Sequence, residues 1–123
     1  MNEDLIVRID KAAVSHAYWR TRLLDASRGK TLGLGSSGEA DGCSCEFGRW
    51  MDSNRSLLGD HPEFQDVYSG HELFHMDVAE SLDSIRKGCG RKVEREILFD
   101  GAFRRNANRL IHELVRWRDR LAR

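Results

Sequence analysis

The chain has little of what makes a strand, a membrane span or a disulfide scaffold. One proline and two tyrosines occur in 123 residues, and no unbroken apolar run exceeds three residues. Runs that short do not cross a bilayer. Alternating or β-branched stretches of useful length are missing, so no strand is expected. The opening residues, Met1 to Arg8, hold no basic region followed by an apolar one, so no secretory signal peptide is expected. Charge of one sign is missing too: twenty basic residues balance twenty acidic ones, giving no general reason for a nucleic-acid or membrane partner. Three cysteines, an odd number, argue against a disulfide framework. A cytoplasmic chain with reduced thiols is expected, in which cysteine near histidine reads as metal or redox chemistry.

What the chain does have is apolar and charged residues in globular proportion, 40% and 33%, at a length that fits one domain over residues 1–123. Several segments repeat with spacings of three and four. Leu5, Ile9, Ala12, His16, Trp19 and Leu23 form one stripe, which predicts a helix over 3–28. A glycine-rich segment, 29–42, follows as a flexible loop within the domain. Residues 44–52 form a short helix with Ser44 as N-cap. Asp60-His61-Pro62 starts the next helix, with proline in its first turn. Its core stripe is Phe64, Val67, His71, His75, Val78, Leu82 and Ile85, and Gly88-Cys89-Gly90 ends it. A last helix begins near Lys92, breaks or bends at Gly101, and carries Phe103, Ala107, Leu110, Leu114, Trp117 and Leu121 inward. The fold class is all-α: an antiparallel four-helix-type bundle in which a short helix carries a cysteine.

His71-Glu72-Leu73-Phe74-His75 matches H-E-x-x-H, a zinc motif in which two histidines one turn apart reach one metal ion. His16, His71 and His75 all fall on apolar stripes. A buried polar group without a partner costs about 1–3 kcal/mol. Ordinary core histidines bonded to backbone or water are one reading, and the better one for His16 taken alone. For the three together, one metal ion satisfies all the imidazoles. The remaining position decides the chemistry, since a catalytic zinc keeps one open and a structural one does not. Cys43 and Cys45 lie close together here, and Cys45 is expected at the first turn of the short helix, where the dipole favours a thiolate. Gly48 permits close backbone approach there, and Trp50 offers a face to roof a metal site. A small buried hydrophobe is the alternative reading of Cys45.

His16-x-x-Trp19-Arg20, Cys45-x-x-Gly48-x-Trp50 and His71-x-x-x-His75, in that order, resemble the signature of the chemoreceptor zinc-binding domain (CZB) family. The stretch from Val78 through Gly88 to Leu114 is similar to the family's last helices, so the resemblance covers nearly the whole chain. It implies that His16, Cys45, His71 and His75 bind one Zn2+. It implies a helical bundle that forms a homodimer and regulates an output domain in bacterial signal transduction, of chemoreceptor (chemotaxis) or diguanylate cyclase type. Cys43 departs from the pattern by adding a second thiol. Either the domain is free-standing or it is a piece of a longer protein; from the start at Met1, a missing output domain is expected after Arg123, or in a separate protein.

Three functions follow. In the first, zinc, oxidants such as hypochlorous acid, or both, as the resemblance implies, are sensed through the site and its Cys45 thiolate, with Cys43 and more remotely Cys89 as resolving thiols. In the second, zinc staples a dimerisation module, with Trp117, Leu121 and the first helix offering a shared face; the core of the chain's own bundle is the competing reading of that stripe. The third is a zincin-like protease with Glu72 as base, disfavoured once four ligands close the site. Lesser signals are read as structural: arginines from Arg104 to Arg123 as a solvated helix face, His112 and His61 as exposed, and Gly33-x-Gly35-x-x-Gly38 as a chance dinucleotide pattern.

Overall fold

The computed structural model describes residues 2–30 and 45–123. Cys43, Ser44, the glycine-rich segment from 31 onward and the Gly33-Gly35-Gly38 pattern lie outside them. The described residues form six helices and no strand: α1 (Asn2–Ser27), α2 (Glu46–Ser53), α3 (Arg55–Leu58), α4 (Phe64–Arg86), α5 (Gly90–Leu98) and α6 (Ala102–Leu121).

The predicted stripes become the core. Ile9, Ala12, Trp19 and Leu23 of α1 pack with Phe64, Val67, Phe74 and Val78 of α4 and with Leu110, Leu114 and Trp117 of α6. Leu5, Ile85 and Ala107 lie partly buried at the margin of that core. Helix α6 packs against both α4 and α1, while α5 covers one end of α1. Polar pairs across α4 and α6 join Asp77 to Asn106 and Glu63 to Arg120. One index rises as the other falls, so these two helices run antiparallel. Arg118 donates to Asp10 at 2.9 Å and ties α6 to α1.

Helices α1 and α4 end alike. The amides of Lys30 and Gly29 bond the carbonyls of Asp25 and Ala26, and those of Cys89 and Gly88 bond Ser84 and Ile85. This is the Schellman arrangement, which needs a left-handed residue after the cap. Gly29 and Gly88 supply it, with φ of 87° and 88°.

Three expectations shift. Helix α4 begins at Phe64, two residues after Pro62, because Asp60 to Glu63 form a turn in which the Phe64 amide bonds the His61 carbonyl. The break at Gly101 is complete, so α5 and α6 are separate helices, and α5 starts at Gly90. His61 is half-buried, because the Trp117 indole donates to its Nδ1 at 3.1 Å. His112 is exposed as expected. Trp117 and Leu121 are 0% and 7% exposed in the chain's own core, which removes them as a shared dimer face.

Candidate metal centre

Two long helices and one short one converge on a single point. Helix α1 brings His16, buried between the core layers of Ala12 and Trp19. Helix α4 brings His71 and His75, one turn apart with ring centroids 4.5 Å from each other. The start of α2 brings Cys45, which is its N-cap residue and sits in extended backbone just before the first turn. One ligand atom from each of the four lies within 4.8 Å of every other.

The three Nε2 atoms form a triangle with sides of 3.1, 3.1 and 3.3 Å. Cys45 Sγ lies 3.6 Å from His16 Nε2. Tetrahedral zinc, with bonds of about 2.05 Å to nitrogen and 2.3 Å to sulfur, requires edges of about 3.3 Å between nitrogens and about 3.6 Å from nitrogen to sulfur. The observed edges match that figure, so the arrangement is compatible with zinc binding.

Hydrogen bonding cannot account for the triangle. A neutral imidazole nitrogen either carries a proton and donates or presents a lone pair and accepts. Among three such atoms in mutual contact, at least one pair must be donor against donor or acceptor against acceptor. His16 Nδ1 donates to the Ala12 carbonyl at 2.7 Å, which leaves its Nε2 as a lone pair facing the other two rings. A cation at the centre converts that repulsion into coordination. The bond to Ala12 also fixes the His16 tautomer and ring angle, as an outer partner does in many metal sites.

Burial keeps two of the imidazoles in the form that binds metal. His16 is held well below its ordinary value, at about 4, by desolvation, against which the Ala12 hydrogen bond pushes upward. His71 is lowered further, to about 2, by desolvation and then by its neighbours His75 and His16. Both rings are therefore neutral at pH 7.

The surroundings are aromatic. Phe47 places its ring 6.0 Å from that of His16 and 5.5 Å from that of His71. Phe74, inside the H-E-x-x-H stretch, sits 5.1 Å from His16 and 5.3 Å from His75. Trp50 is not itself the roof: it stacks on Phe47 at 5.6 Å and forms a second layer. Phe47 and Phe74 were not singled out from the sequence. The available signal was their position beside or between the ligands, two after Cys45 and one before His75. Glu72 is exposed and Cys89 is exposed at the start of α5, while Gly48 is buried.

No family model, curated protein or solved structure matches this chain. No helix among the described residues is long and apolar enough to cross a membrane.

Proposed function

We propose that this chain is a zinc-binding regulatory domain of bacterial signal transduction, similar to the chemoreceptor zinc-binding domains, that senses zinc or oxidants through one thiolate. The observation that carries the reading is the convergence of three Nε2 atoms and one Sγ within 4.8 Å, with N–N edges of 3.1 to 3.3 Å and an Sγ–His16 edge of 3.6 Å that suit tetrahedral zinc. When bound, zinc joins α1, α4 and the start of α2 and stabilises the fold through that link. The residues then divide the work. His16, His71 and His75 hold the ion inside the core and are not oxidised easily. Cys45 is the only sulfur among the four and is half-buried, so oxidants reach it first. Loss of that bond would free α2 while the three imidazoles stay in place.

The domain reads as a sensor without enzymatic activity of its own. Four protein ligands leave no position for the bound water that Glu72 would activate as a base. Metal-dependent peptidase activity that vanishes in Glu72→Ala with zinc retained would favour the protease. Homodimerisation and control of an output domain come from the family resemblance. Helix α1 leaves Val14 and Tyr18 72% and 59% exposed, an apolar surface suited to a second copy. Sedimentation with and without a chelator separates the sensor, whose assembly responds to metal, from a zinc-stapled dimer that does not respond.

The test is metal content per chain for the unaltered protein, Cys45→Ser and Cys43→Ser, before and after oxidant. The expected result is one zinc, weakened by Cys45→Ser and released by oxidant only when Cys45 is present. Equal release from Cys45→Ser would contradict the thiol switch.

A further inference from the structure

His61 joins the α2–α3 segment to the end of α6. It follows Leu58, the last residue of α3, by three positions, and its amide bonds the Leu58 carbonyl at 2.9 Å. On its other side, Nδ1 takes two donors from α6: the Trp117 indole N–H and the Arg120 guanidinium, each at 3.1 Å. Nδ1 is therefore a lone pair, and the ring carries its proton on Nε2. Arg120 also grips Glu63 through both carboxylate oxygens, at 2.7 and 2.8 Å. The two contacts of Nδ1 differ in weight. Arg120 is exposed, so water can take the place of its partner. Trp117 is 0% exposed, with the Phe64 ring 6.3 Å from its own. A displaced His61 would leave the indole N–H inside the core without this acceptor, and a buried donor left unpaired is costly.

We infer that His61 is the positioning residue that couples the metal centre to the last turn of α6. With zinc bound, Cys45 anchors the start of α2, α3 keeps its place, and His61 is fixed between the Leu58 carbonyl and the two α6 donors. Loss of the Cys45 bond loosens α2 and α3, His61 moves with them, and Trp117 loses its acceptor. The last turn of α6 then opens more readily. The element with two arrangements is the turn over 59–63, biased from one side by the metal and from the other by Trp117, as coupling between separated sites requires. A competing path runs along α4 from His71 to Phe64 and reaches Trp117 through ring contact alone. The coupling rests on the proposed metal switch and adds the place where its state is read out.

The experiment uses the full chain, isotope-labelled for NMR, with zinc bound and after its removal by a chelator. Two signals are followed: the Trp117 indole N–H resonance, one of three indoles in the chain, and amide exchange over Arg118 to Leu121. On chelation the indole proton should move upfield, as an N–H does on losing its acceptor, and last-turn exchange should speed up by about tenfold. His61→Phe removes the acceptor and keeps a ring. Its zinc content should stay at one per chain, and its last-turn amides should exchange equally fast with and without zinc. His61→Asn, whose Oδ1 falls near the place of Nδ1, should restore the dependence on zinc. An indole signal that ignores chelation overturns the coupling. So does a zinc response that persists in His61→Phe, which would assign it to the α4 path. The two readings fail separately. If residues 46–58 lose protection on chelation and the end of α6 does not, the switch stands and the coupling falls; if neither responds, both fall.

Discussion

The α1–α4–α6 framework and the α2–α3 segment are held in different ways. The framework is made of helices of 26, 23 and 20 residues whose inward stripes are continuous. Ile9, Leu23, Val67, Phe74, Leu110 and Leu114 are each no more than 1% exposed. The α2–α3 segment is two helices of eight and four residues, anchored in the core by Phe47, Met51 and Leu58. Trp50 packs at the margin of that core, and polar, exposed ties add to it, among them Tyr68 donating to Asp52 at 2.8 Å and Arg55 donating to Tyr68 at 2.6 Å. Three ligands of the proposed site belong to the framework and one to the segment. A site divided in this way holds its ion by the imidazoles and can signal through the sulfur, because only the sulfur's support is light.

The largest effect should come from the framework itself. Trp117→Ala removes a fully buried indole that fills the α4–α6 interface, and should cost about 3–5 kcal/mol in denaturant unfolding. Leu57→Ala, in the segment and 73% exposed, should stay within about 0.5 kcal/mol. Comparable losses from the two would erase the contrast.

Metal removal comes next. Zinc at roughly a thousandfold over its dissociation constant should stabilise the chain by about 4 kcal/mol, read as a thermal midpoint that a chelator lowers again. Amide exchange should show where: residues 46–58 should lose the most protection on chelation, and the interior of α4 the least. Uniform loss would mean that the segment and the framework open as one unit.

The pH dependence of the metal-free chain sharpens the same contrast from the framework side. His16 titrates near 6.5 when unfolded and about 4 when folded, so between those values the unfolded chain binds more protons. Stability should be complete above pH 6.5 and should fall as pH drops toward about 4, by about 3 kcal/mol from this group. Equilibrium unfolding of the chelated protein at several pH values checks the sign. A rise in stability toward acid would place a charged imidazole in the core.

The smallest effect belongs to the exposed ties. Tyr68 holds Asp52 below the usual carboxylate range by donating to it, with Arg55 adding to the effect. Tyr68→Phe should alter global stability by less than about 1 kcal/mol. It should nevertheless raise the exchange rate of the α2 amides.

The framework was largely legible in the sequence, and the segment was not. Spacings of three and four placed His16, His71 and His75 on inward faces, because a helix repeats every 3.6 residues and needs no distant information. Local chemistry also marked the ends, since only glycine serves readily after the caps of α1 and α4. The contacts that sequence spacing could not show join residues far apart along the chain. Phe47 meets His16 across 31 positions of sequence and gives the site its roof. His61 accepts from Trp117 across 56 positions, which half-buries a histidine that a turn-forming sequence marked as exposed. The second short helix, Arg55–Leu58, has too few residues to display a period.

The most direct test of the central claim is X-ray absorption at the zinc edge, on the unaltered protein and on Cys45→Ser. One sulfur at about 2.3 Å and three nitrogens at about 2.05 Å are predicted, with the sulfur shell lost in the variant. A shell of nitrogen and oxygen alone, or a sulfur signal that survives the substitution, would contradict a site closed by Cys45.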